Sequence, residues 1–173
     1  MASKKRNAYL DDYKKVASGE YIYEGKWLRF LGTEEELKKK RNLLYILTIF
    51  GFIISLISGI LPVPGALDKA YIILPYCLEI ILLGMGVYKE IRLFKCGLKI
   101  KEHVYEKTYM EFKSIFIVAL IGSSISLIGE IIYSILNGIT FLVYVYILCK
   151  IICIIISYIN IRITKEIKYE VIN

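Results

Sequence analysis

The chain is poor in the residues that carry most catalysis. It has one histidine, His103, and that residue falls in a charged stretch, "KCGLKIKEHVYEKTYMEFK". A single histidine excludes the His-Glu-x-x-His zinc pair, and its position argues against a Ser–His–Asp relay inside the apolar part of the chain. There is no Gly-rich phosphate loop and no Gly-x-Ser-x-Gly elbow. The four cysteines, Cys77, Cys96, Cys149 and Cys153, form no Cys-x-x-Cys unit. Cys149 and Cys153 share a helix face at i, i+4, a spacing that suits small buried hydrophobes better than redox or zinc chemistry. Only three prolines occur, Pro62, Pro64 and Pro75, so most of the chain has no helix breaker. No apolar run follows the basic start "MASKKRNAYLDDYKK", and Ala2 removes the myristoylation pattern. The expectation is a non-enzymatic protein with no cofactor and no bound metal.

What the chain has in excess is oil. Hydrophobic residues make up 57% of it, against roughly 45–50% in soluble domains. They fall in four runs, Leu43–Leu61, Tyr71–Tyr88, Ser114–Leu136 and Ile139–Ile161. Each is near the ~20 residues a helix needs to cross a bilayer. The fold class expected is therefore an all-α integral membrane protein, a four-helix bundle occupying residues 43–161. A head (1–42) precedes it, a connector (89–113) divides it, and a short tail (162–173) follows. Charge places these parts. Eleven Lys and Arg precede the first span, seven lie from Lys89 to Lys113, three follow the last span, and the first outer loop has only Lys69. Lys- and Arg-rich loops stay in the cytoplasm. That puts both termini and the connector on the cytoplasmic side of the cell (plasma) membrane, and it accounts for the net charge of +7 without nucleic acid. Heavy use of Ile, Lys and Tyr suggests an AT-rich bacterial genome.

Local signals divide the head. "EYIYEGKWLRF" (20–30) alternates around Glu24-Gly25 and predicts a small cytoplasmic β-hairpin. Its core "YEGKW" (23–27) is similar to the start of a MORN repeat, whose unit is a short hairpin, although one copy cannot stack into a solenoid. "GTEEELKKKRNLL" carries Thr33 with Glu36 three later, a capping box. One helix is expected from about residue 34 through the first span, about 42 Å long. Pro62 and Pro64 end it. The connector is expected to be helical with a break at Gly97. "LNGIT" (136–140) is a tight turn that makes the last two spans antiparallel neighbours.

An internal likeness links the two halves. "GFIISLISGI" (51–60) and "GSSISLIGEI" (122–131) agree at six of ten positions with an offset of 71. This is the pattern of two parallel-repeated helical hairpins. The small-residue stripes Gly51-Ser55-Gly59 and Gly122-Ser126 then predict close packing of the first span on the third.

Three charges interrupt the oil: Glu79, Glu130 and Lys150. A charge at mid-bilayer costs roughly 2.5–3.5 kcal/mol, so the three are expected to meet inside the bundle. One reading is a structural ion network that fixes helix register. The other is a proton- or cation-linked site, the usual meaning of ionisable groups in spans. Four spans with an embedded Glu is similar to small multidrug-resistance transporters, although this chain is longer, has a head and carries Lys150. The function expected first is an accessory or assembly protein that binds a protein partner through the head and the 89–113 connector, in addition to lipid. A proton- or cation-coupled carrier, with a homodimer as one option for its assembly, comes second, and an immunity or stress-sensing membrane protein third.

Overall fold

The computed structural model describes residues 13–15, 20–94 and 97–172. The described chain is mostly helical. Strands β1 (Tyr13–Lys15), β2 (Tyr21–Tyr23) and β3 (Trp27–Phe30) lead into helix α1 (Glu34–Ile60). A short α2 (Pro64–Asp68) precedes α3 (Ala70–Phe94). Then come β4 (Lys99–Lys101), one turn of helix α4 (Glu102–Tyr105) and a π-helical turn at Glu106–Met110. Helices α5 (Glu111–Asn137) and α6 (Phe141–Glu166) and strand β5 (Tyr169–Ile172) complete the chain. The four long helices are each long and apolar enough to cross a membrane. Cys96, expected on the side of the termini, lies outside the described residues, as does the start of the head.

The helix ends follow local chemistry. At the start of α1, Glu36 N donates to Thr33 Oγ1 and Thr33 N donates to Glu36 Oε2, both at 3.2 Å. Glu34, Glu35 and Glu36 face the positive end of the helix dipole. Pro64 opens α2, where its missing N–H costs nothing. Between α5 and α6 the chain turns at Gly138, whose φ of 98° suits a glycine.

The four long helices form a square. α3 and α6 each pack on both α1 and α5, so α1 and α5 lie on one diagonal and α3 and α6 on the other. Each helix turns a heptad stripe inward. On α1 it is Leu37, Arg41, Leu44, Thr48, Gly51, Ser55 and Ser58. On α6 it is Val143, Tyr146, Lys150, Cys153, Ser157, Asn160 and Thr164. A strict 3,4 spacing is the geometry of shallow left-handed crossing. The composition of these stripes is inverted relative to a water-soluble bundle. Polar and small side chains fill the middle, while Leu74, Ile81, Ile132, Leu148 and many others stand exposed on the outside.

Two expectations need correcting here. The small-residue stripes do not pack α1 on α5, because those helices are diagonal. Gly51 instead backs onto Ile156 of α6, and Gly59 onto the Tyr76 hydroxyl of α3. Gly122 meets the backbone carbonyl of Pro75 on α3. The bulk held in the centre, described below, keeps the diagonal helices apart.

The second correction is at the sheet. Tyr21–Tyr23 and Trp27–Phe30 are strands, but they do not pair with each other. β2 pairs antiparallel with β1, making the N-terminal hairpin, and β3 leaves it. Gly25 has no positive φ, so the chain steps across at 24–26 instead of folding back. β3 takes β4 on one edge and β5 on the other, giving a three-stranded antiparallel sheet of order β4-β3-β5. The connector and tail therefore contain strands, and the fold is not wholly α. Leu28, Phe30 and Ile100 on one face of this sheet join Leu37, Leu44, Leu93, Phe112 and Phe116 in a single apolar core. The sheet thus closes one end of the bundle.

Candidate functional site

The centre of the bundle holds a buried ion pair. Lys150 Nζ on α6 donates to Glu79 Oε2 on α3 at 2.7 Å, and both side chains are fully buried. Ser55 Oγ on α1 donates to the other carboxylate oxygen at 2.9 Å. The ring of Tyr76, one turn before Glu79, lies 4.3 Å from the ammonium, and its hydroxyl donates to the Ser55 carbonyl at 3.2 Å. The Tyr146 ring stands 5.5 Å from the same ammonium. Helices α1, α3 and α6 thus each supply a ligand or a face to one charge pair. In such a low-dielectric setting each ion has to be neutralised and hydrogen-bonded to be tolerated.

Glu130 does not join this pair. It too is fully buried, on α5 toward the loop end. Ser134 Oγ donates to its Oε1 at 3.2 Å, while Oε2 has no hydrogen-bond partner among the described residues. Oε2 sits against Gly65 of α2, where a Cβ would come within 2.5 Å of it. The expected meeting of three charges is therefore a pair plus a separate acid. Tyr146 lies between them in sequence of contact: its ring faces Lys150, and its hydroxyl is 2.6 Å from Ser126 Oγ, one turn below Glu130. The tight contact with α2 holds Glu130 under the loop between α1 and α3 instead of at the centre.

The opposite end contains a group that the apolar-run argument missed. Glu90 on α3 is buried, and its Oε1 lies 2.8 Å from Thr48 Oγ1 on α1. Asn160 Nδ2 on α6 donates to the same Thr48 oxygen at 3.1 Å. Below it, Arg41 donates through Nε and Nη2 to Tyr109 at 3.1 and 3.0 Å, and through Nη2 to Tyr169 at 3.0 Å. This joins the bundle to strand β5. Glu90 and Arg41 escaped notice because both lie in charged segments. A usable signal existed in the stripes themselves. Extending Glu79 by helical heptad steps gives Leu83, Gly86 and Glu90, all inward-facing or close to it. The same step along α1 from Ser55 reaches Thr48 and Arg41.

At the sheet, Lys101 is held by aromatic rings. Its ammonium lies 4.9 Å from the rings of Tyr13 and Tyr23 and 5.9 Å from that of Trp27, and it donates to the Tyr13 hydroxyl at 3.1 Å. His103 packs against Tyr13 and Tyr23 in the same cluster. No group of three or more His, Cys, Asp or Glu able to hold a metal occurs among the described residues.

The arrangement can hold an ion pair at the centre of an apolar shell and a second buried carboxyl group nearer the sheet, and it presents a three-stranded sheet at one end. Comparison with family models, curated proteins and solved structures finds no match.

Proposed function

We propose that this chain is a bacterial multi-pass membrane protein of the plasma membrane, with both termini cytoplasmic, that acts by binding a protein partner at its cytoplasmic face. Membrane insertion is supported by the inverted composition of the bundle, apolar outside and polar inside, since an apolar exterior of this extent would be a liability in water. The observation that carries the partner-binding reading is the sheet. Three segments distant in sequence, from the head, the connector and the tail, are joined strand to strand. A chain whose only task was to span would not need that construction. The face turned away from the bundle alternates with Leu28 and Phe30 and carries Trp27 and Arg29, with Lys99 and Glu170 beside Arg29 in register. Such a mixed aromatic and charged face suits a protein surface.

The test is co-purification in mild detergent. Arg29→Glu with Trp27→Ala, and separately Lys99→Glu with Glu170→Lys, should each lose the partner while the bundle stays folded, because these side chains lie on the face away from the core. A partner set retained by both proteins would count against the reading. In this account the Glu79–Lys150 pair sets register. Its two residues stand 71 apart, the offset of the internal likeness, which supports two pseudo-repeated hairpins with the pair on their common axis.

A second reading, a proton- or cation-coupled carrier, is favoured by one observation: the buried and incompletely paired Glu130. Flux in proteoliposomes that is unchanged by Glu79→Gln and by Glu130→Gln would exclude those carboxylates from coupling.

A further inference from the structure

The geometry points to a proton-binding site at Glu90, with the carboxyl group carrying its proton on Oε1 at neutral pH and donating it to Thr48 Oγ1. Neither of the readings above requires this site, and it rests on different residues.

Thr48 Oγ1 has three neighbours at bonding distance: the Leu44 carbonyl at 2.9 Å, Glu90 Oε1 at 2.8 Å and Asn160 Nδ2 at 3.1 Å. A threonine hydroxyl has one proton to give and two lone pairs to receive with. The Leu44 carbonyl can only accept. If Glu90 is a carboxylate, it too can only accept, and one of the two contacts has no hydrogen in it. Two oxygens would then face each other at 2.8 Å inside a buried site. If Glu90 is an acid, every contact is filled: Glu90 donates to Thr48, Asn160 donates to Thr48, and Thr48 donates to Leu44. Turning the Asn160 amide over leaves the conclusion standing. Thr48 is then surrounded by acceptors, and a proton on Glu90 still adds one hydrogen bond.

The surroundings agree. Glu90, Thr48 and Asn160 are 2%, 0% and 0% exposed. Among the described residues Glu90 has no ion-pair partner, unlike Glu79. From α1 the charged group nearest along the stripe is Arg41, which shares a narrow crevice with Leu44, Glu90 and Leu93. Its guanidinium is directed to Tyr109 of the π-helical turn and Tyr169 of β5. The next residue back on α3, Lys89, is paired with Glu111 of α5. From α6 the facing groups are Asn160 and, one turn on, Thr164, neither of which titrates. Glu90 Oε2 and Asn160 Oδ1 remain without partners among the described residues. This leaves a carboxyl oxygen and an amide oxygen free to accept hydrogen bonds at the sheet end.

Infrared spectroscopy of the full-length protein in lipid bilayers at pH 7 tests the site, with glutamate carboxyl carbons isotopically labelled to mark their bands. The expected result is a protonated-carboxyl band that loses the intensity of one group in Glu90→Gln. Thr48→Val should keep that band but move it to higher frequency, because the hydrogen bond from the acid is gone. If Glu90→Gln removes intensity only from the ionised-carboxylate band, the proposal fails. It fails equally if sodium or potassium chloride abolishes the protonated band at constant pH, which would make the site a metal-cation site. Should Glu90→Gln not fold, the Thr48→Val shift decides alone, and an unmoved band overturns the assignment.

Discussion

Glu79 and Lys150 illustrate what a charge in an apolar run does and does not reveal. That each must turn inward follows from transfer energy alone, and both are fully buried. Which charges would touch was not legible, because depth along a helix does not fix which neighbour it faces. Glu130 and Glu79 look alike in sequence, yet one is paired with Lys150 and the other is tucked under α2. The pair makes a measurable prediction. Glu79→Gln leaves an ammonium buried without its counter-ion and is expected to cost about 3–5 kcal/mol. Lys150→Met should cost about as much, for the converse reason. The double variant Glu79→Leu with Lys150→Met should recover most of the loss, since apolar replacement of a whole buried pair is often close to neutral. Denaturant unfolding in detergent micelles reads all three. Additive losses in the double variant would show that the two groups do not stabilise one another. Glu130→Gln, by contrast, keeps the Ser134 contact and should change stability by about 1 kcal/mol or less.

At the scale of elements, the four apolar runs announced the four helices, and Thr33 with Glu36 announced where α1 begins. Pairing between elements was harder to read. The small-residue stripes identified the inward faces of α1 and α5 but suggested the wrong neighbour, since a stripe reports that something approaches closely and not what. The hairpin at 20–30 failed for a related reason. Alternation marks strands, while pairing depends on residues far away, here 99–101 and 169–172. Close approach is itself testable. A Cβ on Gly122 would lie 3.0 Å from the Pro75 carbonyl, a backbone atom that cannot swing aside. Gly122→Val should therefore push α3 from α5 and cost about 1–3 kcal/mol. Gly97→Ala is the control, because nothing lies within 4 Å of that position. Equal melting temperatures for the two variants in detergent would mean that α3 and α5 do not meet at Gly122.

For the molecule as a whole, two independent lines lead to the same asymmetry between its ends. The sheet gathers head, connector and tail at one end, because its strands come from all three. The charge count puts nearly all the Lys and Arg in those same three segments, leaving Lys69 at the other end. Loops rich in Lys and Arg resist translocation, so the sheet end should remain in the cytoplasm. The consequence can be read with single cysteines placed in a chain whose own four are replaced. Glu24→Cys and Glu170→Cys belong to the sheet end, and Asn137→Cys to the turn between α5 and α6; all three native side chains are exposed. In intact cells a membrane-impermeant maleimide should label position 137 and spare 24 and 170, which should react only after permeabilisation. Reversal of all three would invert the protein while preserving the fold. Labelling of 24 and 170 from opposite sides would break the sheet, since β5 could not then pair with β3, and with it would go the shared surface that the proposed partner binding requires.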